Sequence, residues 1–211
     1  MSALMPGPTV VLASRSPQRS ALLARLGVQF TIRATDVPEI EQGEDPAAVA
    51  VENALRKARA AAGASPTPTR APEEVVIGCD TIVVLDGVIY GKPPDADAAR
   101  RTLAALGGRT HEVLSGLAIL RPARPSERAR ERTALARTWV TFRAIDEDLM
   151  EWYVATGEWR GRSGGYAIQG AGAKLATEIE GEEENVVGLP LRTLIELCPE
   201  LRDARGPRRD A

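Results

Sequence analysis

The feature that most constrains the fold is a strand-like segment that leads directly into a capped helix near the N-terminus. Residues 10–13 are apolar and end at a turn with the sequence SRSPQR. Ser16 suits the N-cap of a helix and Pro17 its first position, which predicts a helix over residues 17–26. The turn places hydroxyls, guanidiniums and backbone N–H groups at a positive helix end, which favours phosphate binding. The alternative is an ordinary capped helix with solvated arginines.

Strand and helix signals alternate along the rest of the chain. Further strands are predicted at residues 30–35, 75–85, 88–90, 111–120 and 134–144. Further helices are predicted to start at Asp45-Pro46, at Asp95 or Asp97, at Ile145-Asp146 and at Leu189, and to end near Ala62, Gly107, Thr156 and Leu197. Residues 65–72, 121–133 and 157–173 are predicted to be loops or irregular. This order favours one α/β fold with two lobes around a cleft.

Composition excludes several classes of protein. The chain has 211 residues, 44 % of them apolar, and no apolar run approaches the roughly 20 residues that span a bilayer. The first eight residues lack the basic and apolar regions of a secretory signal, so we expect a cytosolic protein. The net charge of −2 argues against nucleic-acid binding through a basic surface, and a single histidine excludes a multi-histidine metal centre. Cys79 and Cys198 are predicted to be buried, without a disulfide or a metal.

An aspartate interrupts the most apolar strand signal. Asp80 lies in the segment VVIGCDTIVVL, where a carboxylate is costly unless it is paired, hydrogen-bonded or metal-bound. It is either a general base or cation ligand at a sheet end, or a structural aspartate satisfied by backbone N–H groups. The turn at residues 86–87 folds Lys92 back towards Asp80, although an exposed turn lysine is the alternative.

Other polar residues allow both a functional and a structural interpretation. Lys57 on the second helix and Glu39 in the loop before it are by default solvated. Gln169 lies among glycines that permit close approach of a ligand, and its amide could recognise a nucleobase edge or belong to an ordinary loop. His111 is expected to be structural, with its role left open, and residues 185–191 are expected to form a turn followed by a helix.

Five motifs together carry a resemblance to a known family. The segments LASRSPQR, GCDTIV, GKP, SGGYAIQG and NVVGLPL, between residues 12 and 191, resemble the Maf family of nucleoside triphosphate pyrophosphatases. The resemblance implies a mixed sheet flanked by helices, with residues 1–201 as the domain; residues 202–211 are expected to be a disordered tail. It also implies hydrolysis of a nucleoside triphosphate to a monophosphate and diphosphate, a divalent cation (Mg²⁺ or Mn²⁺), a cytoplasmic homodimer, and links to cell-division arrest and clearance of modified nucleotides.

The resemblance also implies roles for individual residues. Asp80 would accept the proton of the attacking water, and Glu39 would join it in binding the metal. The residues implied to hold the triphosphate are Ser14, Arg19, Lys57 and Lys92. Cleavage of a phosphoanhydride depends mainly on positioning and positive charge, which these side chains supply.

Three positions bear on the choice of base. Thr81 and Gln169 match the branch of the family that acts on dTTP and UTP, whereas Gln18 stands where that branch has an arginine. Pro38 also departs from the family pattern, which often has an aspartate there. We therefore predict a pyrophosphatase that favours dTTP and UTP. The alternatives are broad or modified-nucleotide specificity, and a nucleotide-sensing division regulator that does not catalyse hydrolysis.

Overall fold

A computed structural model describes residues 9–34, 36–64, 74–122 and 129–202. The strands in these ranges are β1 (Thr9–Leu12), β2 (Phe30–Ile32), β3 (Glu74–Leu85), β4 (Val88–Tyr90), β5 (Thr110–Arg121), β6 (Arg130–Phe142) and β7 (Ala176–Glu180). The α-helices are α1 (Pro17–Arg25), α2 (Pro46–Gly63), α3 (Ala96–Leu106), α4 (Glu147–Thr156), α5 (Glu183–Val187) and α6 (Leu191–Leu197). The predicted α/β fold is confirmed. Within the described ranges, no helix has the length and apolar character needed to cross a membrane.

The predicted helix starts agree closely with the structure. The side chains of Ser16, Asp45 and Asp146 accept hydrogen bonds from backbone N–H groups in the first turns of α1, α2 and α4. Of the two aspartates considered for α3, Asp95 is the cap, because its carboxylate accepts a hydrogen bond from the N–H of Ala98. Side-chain capping is local chemistry, which is why these boundaries can be read from sequence.

The predicted boundaries fail where the chain is polar. The expected loop at residues 121–133 is wrong at both ends, because Arg121 closes β5 and residues 130–133 open β6. Residues 130–133 are exposed and contain no apolar alternation, so periodicity cannot detect their pairing with β5. The short β7 and α5 were not predicted, and the last helix begins two residues after Leu189. The loop predicted at 65–72 lies outside the described residues, as does the tail beyond Arg202.

A single seven-stranded sheet has the order β2-β1-β3-β5-β6-β7, with β4 paired to β3 off this path. β1 runs parallel to β2 and β3, while the remaining pairs are antiparallel. One edge of β3 pairs with β1 over residues 74–77 and with β4 over residues 83–85. Residues 78–82 therefore have no described strand on that edge, and a cleft lined by Asp80 and Thr81 opens there.

Strand β3 passes through both lobes. On one face, Ile77 and Cys79 join the apolar cluster beneath α1 and α6, while Val83 and Leu85 join the cluster beneath α3 and α4. Thr81 lies on the same face between the two clusters. Both cysteines are buried and unpaired, as predicted. The predicted two lobes therefore share one sheet, and their boundary crosses β3 at Thr81.

The opposite face of β3 carries α2 at very short distance. A Cβ at Gly78 would lie 2.1 Å from the carbonyl oxygen of Ala54, and one at Gly116 would lie 2.1 Å from that of Ala50. Neither position tolerates a side chain without movement of the helix backbone. Gly116 pairs with Asp80 in the ladder between β3 and β5, so this contact brings the inner face of α2 directly over Asp80.

Candidate active site

The cleft has a volume of about 950 Å³ and is lined from both lobes. It brings together all nine residues singled out from the sequence, although they come from six separate parts of the chain. These residues are Ser14, Gln18, Arg19, Glu39, Lys57, Asp80, Thr81, Lys92 and Gln169. Their proximity is an observation, whereas the role of each remains a prediction.

Asp80 is only 4 % exposed and is held by two side chains from α2. Its Oδ1 accepts a hydrogen bond from Lys57 Nζ at 2.5 Å, and its Oδ2 accepts one from Asn53 Nδ2 at 3.1 Å. The partners are therefore side chains, and one of them is a cation, rather than the backbone N–H groups of the structural alternative. An ammonium partner offsets the cost of burying a carboxylate, and a carboxylate so placed is suited to accept a proton from water.

Glu39 extends this arrangement from the loop between β2 and α2. Its Oε1 accepts from Lys57 Nζ at 2.6 Å, and its Oε2 accepts from Lys92 Nζ at 3.1 Å. Burial alone would raise the pKa of Glu39, but the hydrogen bonds and charges of Lys57 and then Lys92 outweigh it and lower the pKa to about 2. Lys92 thus reaches Glu39, and it is linked to Asp80 through Glu39 and Lys57.

Asn53, which contacts Asp80, is a residue that the sequence analysis did not single out. It is 2 % exposed, and besides Asp80 it binds both backbone groups of Ile40: the N–H donates to Oδ1 at 2.8 Å, and Nδ2 donates to the C=O at 3.0 Å. Asn53 therefore fixes the loop that carries Glu39 relative to Asp80. The available signal was its position one helical turn before Lys57, which places both side chains on one face of α2.

Arg19 occupies the other side of the strand that carries Asp80, at the start of α1. Its guanidinium donates to the carbonyl oxygen of Gly188 at 2.8 Å, to Thr81 Oγ1 at 3.2 Å and to Ser14 Oγ at 3.3 Å. All three acceptors are neutral, and Arg19 forms no ion pair with a described carboxylate. Its positive charge is consequently oriented but unpaired, as an anion-binding arginine requires.

Gln18 lies beside Arg19, and its neutral amide cannot supply the positive charge of a second arginine. Its amide oxygen accepts a hydrogen bond from the hydroxyl of Ser16 at 3.1 Å, so the side chain is turned towards the helix cap. Thr81 Oγ1 is also hydrogen-bonded to Ser115 at 2.8 Å, which fixes its orientation. Within α1, the cleft lining accordingly includes the guanidinium of Arg19 and the neutral amide of Gln18.

The glycine-rich segment that carries Gln169 is tied to β3 and to the residues that follow β4. Ser163 Oγ donates to the carbonyl oxygen of Thr81 at 2.9 Å, and the N–H of Gly164 donates to the carbonyl oxygen of Gly91 at 3.0 Å. Gln169 itself is exposed at the cleft wall. Two arginines that sequence reasoning did not single out, Arg160 and Arg162, also line this wall and add positive charge to it.

His111 supports the same wall from below. It is 1 % exposed, its Nε2 is hydrogen-bonded to the hydroxyl of Tyr166 at 2.9 Å, and its ring meets that of Phe142 edge-on. Burial lowers the pKa of His111 to about 4, so the imidazole is neutral at physiological pH. It lies beneath Tyr166, which lines the cleft, and does not line the cleft itself.

The fold and site define an α/β protein whose cleft combines a buried carboxylate, paired with a lysine, and several positively charged side chains. The family model for Maf-like proteins matches residues 9–201, and the chain belongs to that family.

Curated relatives match over nearly their whole length. A protein from Moorella thermoacetica is 47 % identical over 190 residues, which cover 89 % of this chain and 92 % of the relative. One from Pyrococcus furiosus is 42 % identical over 189 residues, covering 89 % and 93 %, and one from Deinococcus radiodurans is 38 % identical over 190 residues, covering 90 % and 91 %. Each of these three relatives is named dTTP/UTP pyrophosphatase.

Proposed function

We propose that this protein hydrolyses dTTP and UTP to the nucleoside monophosphate and diphosphate. The observation that carries the proposal is the buried, lysine-paired Asp80 at the floor of a cleft whose walls present Arg19 and Lys92. The names of the relatives support the choice of substrates. Cleavage between the α- and β-phosphates needs an activated water and positive charge around the phosphates, and both are available in this cleft.

In the proposed reaction, Asp80 accepts a proton from the attacking water. The water oxygen forms a bond to the α-phosphorus, the bond from that phosphorus to the bridging oxygen breaks, and diphosphate leaves. Ser14, Arg19, Lys57 and Lys92 bind the triphosphate and stabilise the negative charge that develops on its oxygens. Asn53 keeps the Asp80 carboxylate oriented while its other oxygen takes part.

The family also implies a divalent cation, and the donor chemistry of the site fits one. Asp80 and Glu39 both direct a carboxylate oxygen at the same Lys57 ammonium, so they can share a cation. Within the described ranges, no group of three or more acidic, histidine or cysteine side chains could form a metal site. Two carboxylates suit Mg²⁺ or Mn²⁺ if substrate phosphates and water complete the coordination. When bound, such an ion lowers the pKa of a coordinated water and neutralises phosphate charge.

Base selection is assigned to Gln18, Thr81 and Gln169. The neutral amide at Gln18 supports a second candidate, a pyrophosphatase of broader or modified-nucleotide specificity, because one charged contact of the dTTP/UTP branch is missing. A release assay for diphosphate with the standard and modified triphosphates distinguishes the two. Preference for dTTP and UTP supports the first, and similar rates with many bases support the second.

Asp80→Asn tests whether the protein is an enzyme or a nucleotide sensor. The change should lower kcat by about 10²- to 10⁴-fold, the usual contribution of a general base, while nucleotide binding measured by calorimetry is retained. Wild-type protein that binds triphosphates yet releases no diphosphate from any of them would contradict the proposed enzyme and favour the sensor. Activity that survives excess EDTA would contradict the proposed metal requirement.

Further proposals concern the setting of the enzyme. We infer a cytoplasmic homodimer with residues 1–201 as the catalytic domain; the family match over residues 9–201 supports these bounds. Light scattering of the purified protein measures the oligomeric state, and a monomer at cellular concentrations would contradict the dimer. Links to cell-division arrest and to clearance of modified nucleotides stay predictions from the family resemblance.

A further inference from the structure

Lys57 occupies an unusual position for a phosphate-binding lysine. Its ammonium lies 2.5 Å from Asp80 Oδ1 and 2.6 Å from Glu39 Oε1, and only 13 % of its side chain is exposed. These two oxygens belong to the carboxylates assigned to the divalent cation. Lys57 is therefore bound at the point where the two proposed metal ligands converge.

We propose that Lys57 is the internal counter-ion of this carboxylate pair and exchanges places with the divalent cation. Lys57 leaves Asp80 and Glu39 when the cation binds, and the released ammonium then contacts the triphosphate. The proposal rests on the function proposed above. Because the Lys57 ammonium competes with the divalent cation for the two carboxylates, binding of the triphosphate to Lys57 favours binding of the cation, and the reverse. Free protein would hold the cation weakly, and the protein with bound triphosphate would hold it more tightly.

Electrostatics explains why the two cations exclude each other. Two carboxylates close enough to share one ammonium repel each other strongly when that ammonium is absent, so Lys57 stabilises the free protein. A divalent cation on the same oxygens would repel the ammonium at short range, and the ammonium would have to move. The flexible four-carbon stem of lysine permits that movement within the cleft that Lys57 already lines.

Asn53 allows the exchange without loss of the ligand geometry. It holds Asp80 through Oδ2, which Lys57 does not contact, and it holds the backbone of Ile40 beside Glu39. The Asp80 carboxylate thus keeps a partner when the ammonium leaves, and the backbone next to Glu39 stays in place. Lys92 provides a comparison, because it contacts Glu39 alone and its side chain is 51 % exposed.

Metal binding to nucleotide-free protein tests the competition. Mn²⁺ binding is measured by electron paramagnetic resonance for wild type, Lys57→Met and the matched control Lys92→Met, which removes the same charge from Glu39 only. Lys57→Met should bind Mn²⁺ at least about tenfold more tightly than wild type, whereas Lys92→Met should stay within about threefold. Equal or weaker Mn²⁺ binding by a folded Lys57→Met would overturn the proposal.

A second measurement uses the wild-type protein and does not depend on the folding of a variant. The chain has three lysines, and Lys174 lies over the ring of Trp152, outside the cleft lining. Mass spectrometry after brief acetylation gives the reactivity of Lys57 relative to Lys174. Mg²⁺ should raise this ratio at least about threefold, because the amine leaves a position where only 13 % of its side chain is exposed and enters the open cleft, where the reagent can reach it. An unchanged or lower ratio would contradict the exchange. Neither measurement requires turnover, so failure of the proposed hydrolysis is detected separately by the diphosphate assay.

Discussion

The two faces of β3 at the cleft differ in how they hold their charged groups. On the face covered by α2, the buried Asp80 and the partly exposed Glu39 share the ammonium of Lys57. On the face next to α1, Arg19 donates only to neutral oxygens, including that of Thr81. Charges on the first face are paired within the protein, while the guanidinium on the second face has no described carboxylate partner. We therefore expect changes on the α2 face to affect both stability and activity, and changes on the α1 face to affect activity alone.

Among the substitutions that compare the two faces, replacement of Arg19 should have the largest effect on activity. Arg19→Met is expected to lower kcat/KM by roughly 10- to 100-fold, since a hydrogen bond to a charged group contributes about 1.5–3 kcal/mol. The free energy of unfolding in urea should change little, because two of the three acceptors of Arg19 keep other partners: the carbonyl oxygen of Gly188 accepts from Cys79 Sγ, and Thr81 Oγ1 is hydrogen-bonded to Ser115. Arg25→Met is the matched control on the same helix, where the arginine forms a largely exposed ion pair with Glu184. A loss of stability in Arg19→Met that clearly exceeds the loss in Arg25→Met would contradict the expected difference between the two faces.

Replacement of Asn53 should lower both the free energy of unfolding and the activity. Asn53→Leu leaves the backbone of Ile40 and one oxygen of Asp80 without their partner, and each unsatisfied buried group costs about 1–3 kcal/mol. We expect a lower free energy of unfolding together with a fall in kcat of about tenfold, and little change in KM. Val49→Ala, a cavity-forming change on the same helix, controls for destabilisation. An equal fall in kcat for both variants would show that Asn53 has no positioning role.

Two titratable groups, His111 behind the cleft wall and Glu39 beside Asp80, should make stability depend on pH in different ranges. The folded-state pKa of His111, about 4, lies below the ordinary value of 6.5, so the unfolded chain binds the extra proton and stability falls as the pH drops from 6.5 to 4. The folded-state pKa of Glu39, about 2, lies below 4.5, so its stabilising contribution is lost as the pH drops from 4.5 to 2. In urea unfolding, the free energy of unfolding should depend less on pH than in wild type between pH 6.5 and 4 for His111→Phe, and between pH 4.5 and 2 for Glu39→Gln. The same slope as wild type in either variant would contradict the corresponding assignment.

Gln18→Arg should give the smallest effect. The new guanidinium restores the charge that the dTTP/UTP branch carries at this position, and the ratio of rates with dTTP and UTP to those with other triphosphates should rise about threefold to tenfold. Gln18→Met, which removes the amide without adding a charge, separates the effect of charge from loss of the contact with Ser16. Unchanged ratios would show that this position does not select the base.

Much of the fold could be predicted because its signals are local. Helix caps at Ser16, Asp45 and Asp146 depend on residues within one turn, and membership of the Maf family followed from five short motifs and is confirmed. The exposed start of β6 at residues 130–133 could not be predicted, because these four residues are polar and show no apolar alternation, although most of their β5 partners are apolar.

The candidate site was predictable in part for a different reason. Asp80 is conspicuous because a carboxylate in an apolar strand needs a partner, but the sequence does not say which partner. Lys57 stands beside other basic residues on α2, and only the close approach of the helix at Gly78 shows that it points at the sheet. Asn53 was missed for the same reason, since its three hydrogen bonds go to groups distant in sequence. The roles of these residues await the measurements above.

The continuity of β3 and β5 has a mechanical consequence. Nine consecutive residue pairs, from Val76 with Leu120 to Val84 with Glu112, cross the boundary between the lobes without interruption. Domains that close on a ligand by a hinge are joined by a few loop residues, whereas these lobes are joined by two continuous, paired β-strands. We therefore expect little rotation of the lobes against each other when a ligand binds. Binding would then lose less conformational entropy, with adjustment confined to side chains and to the loops that line the cleft.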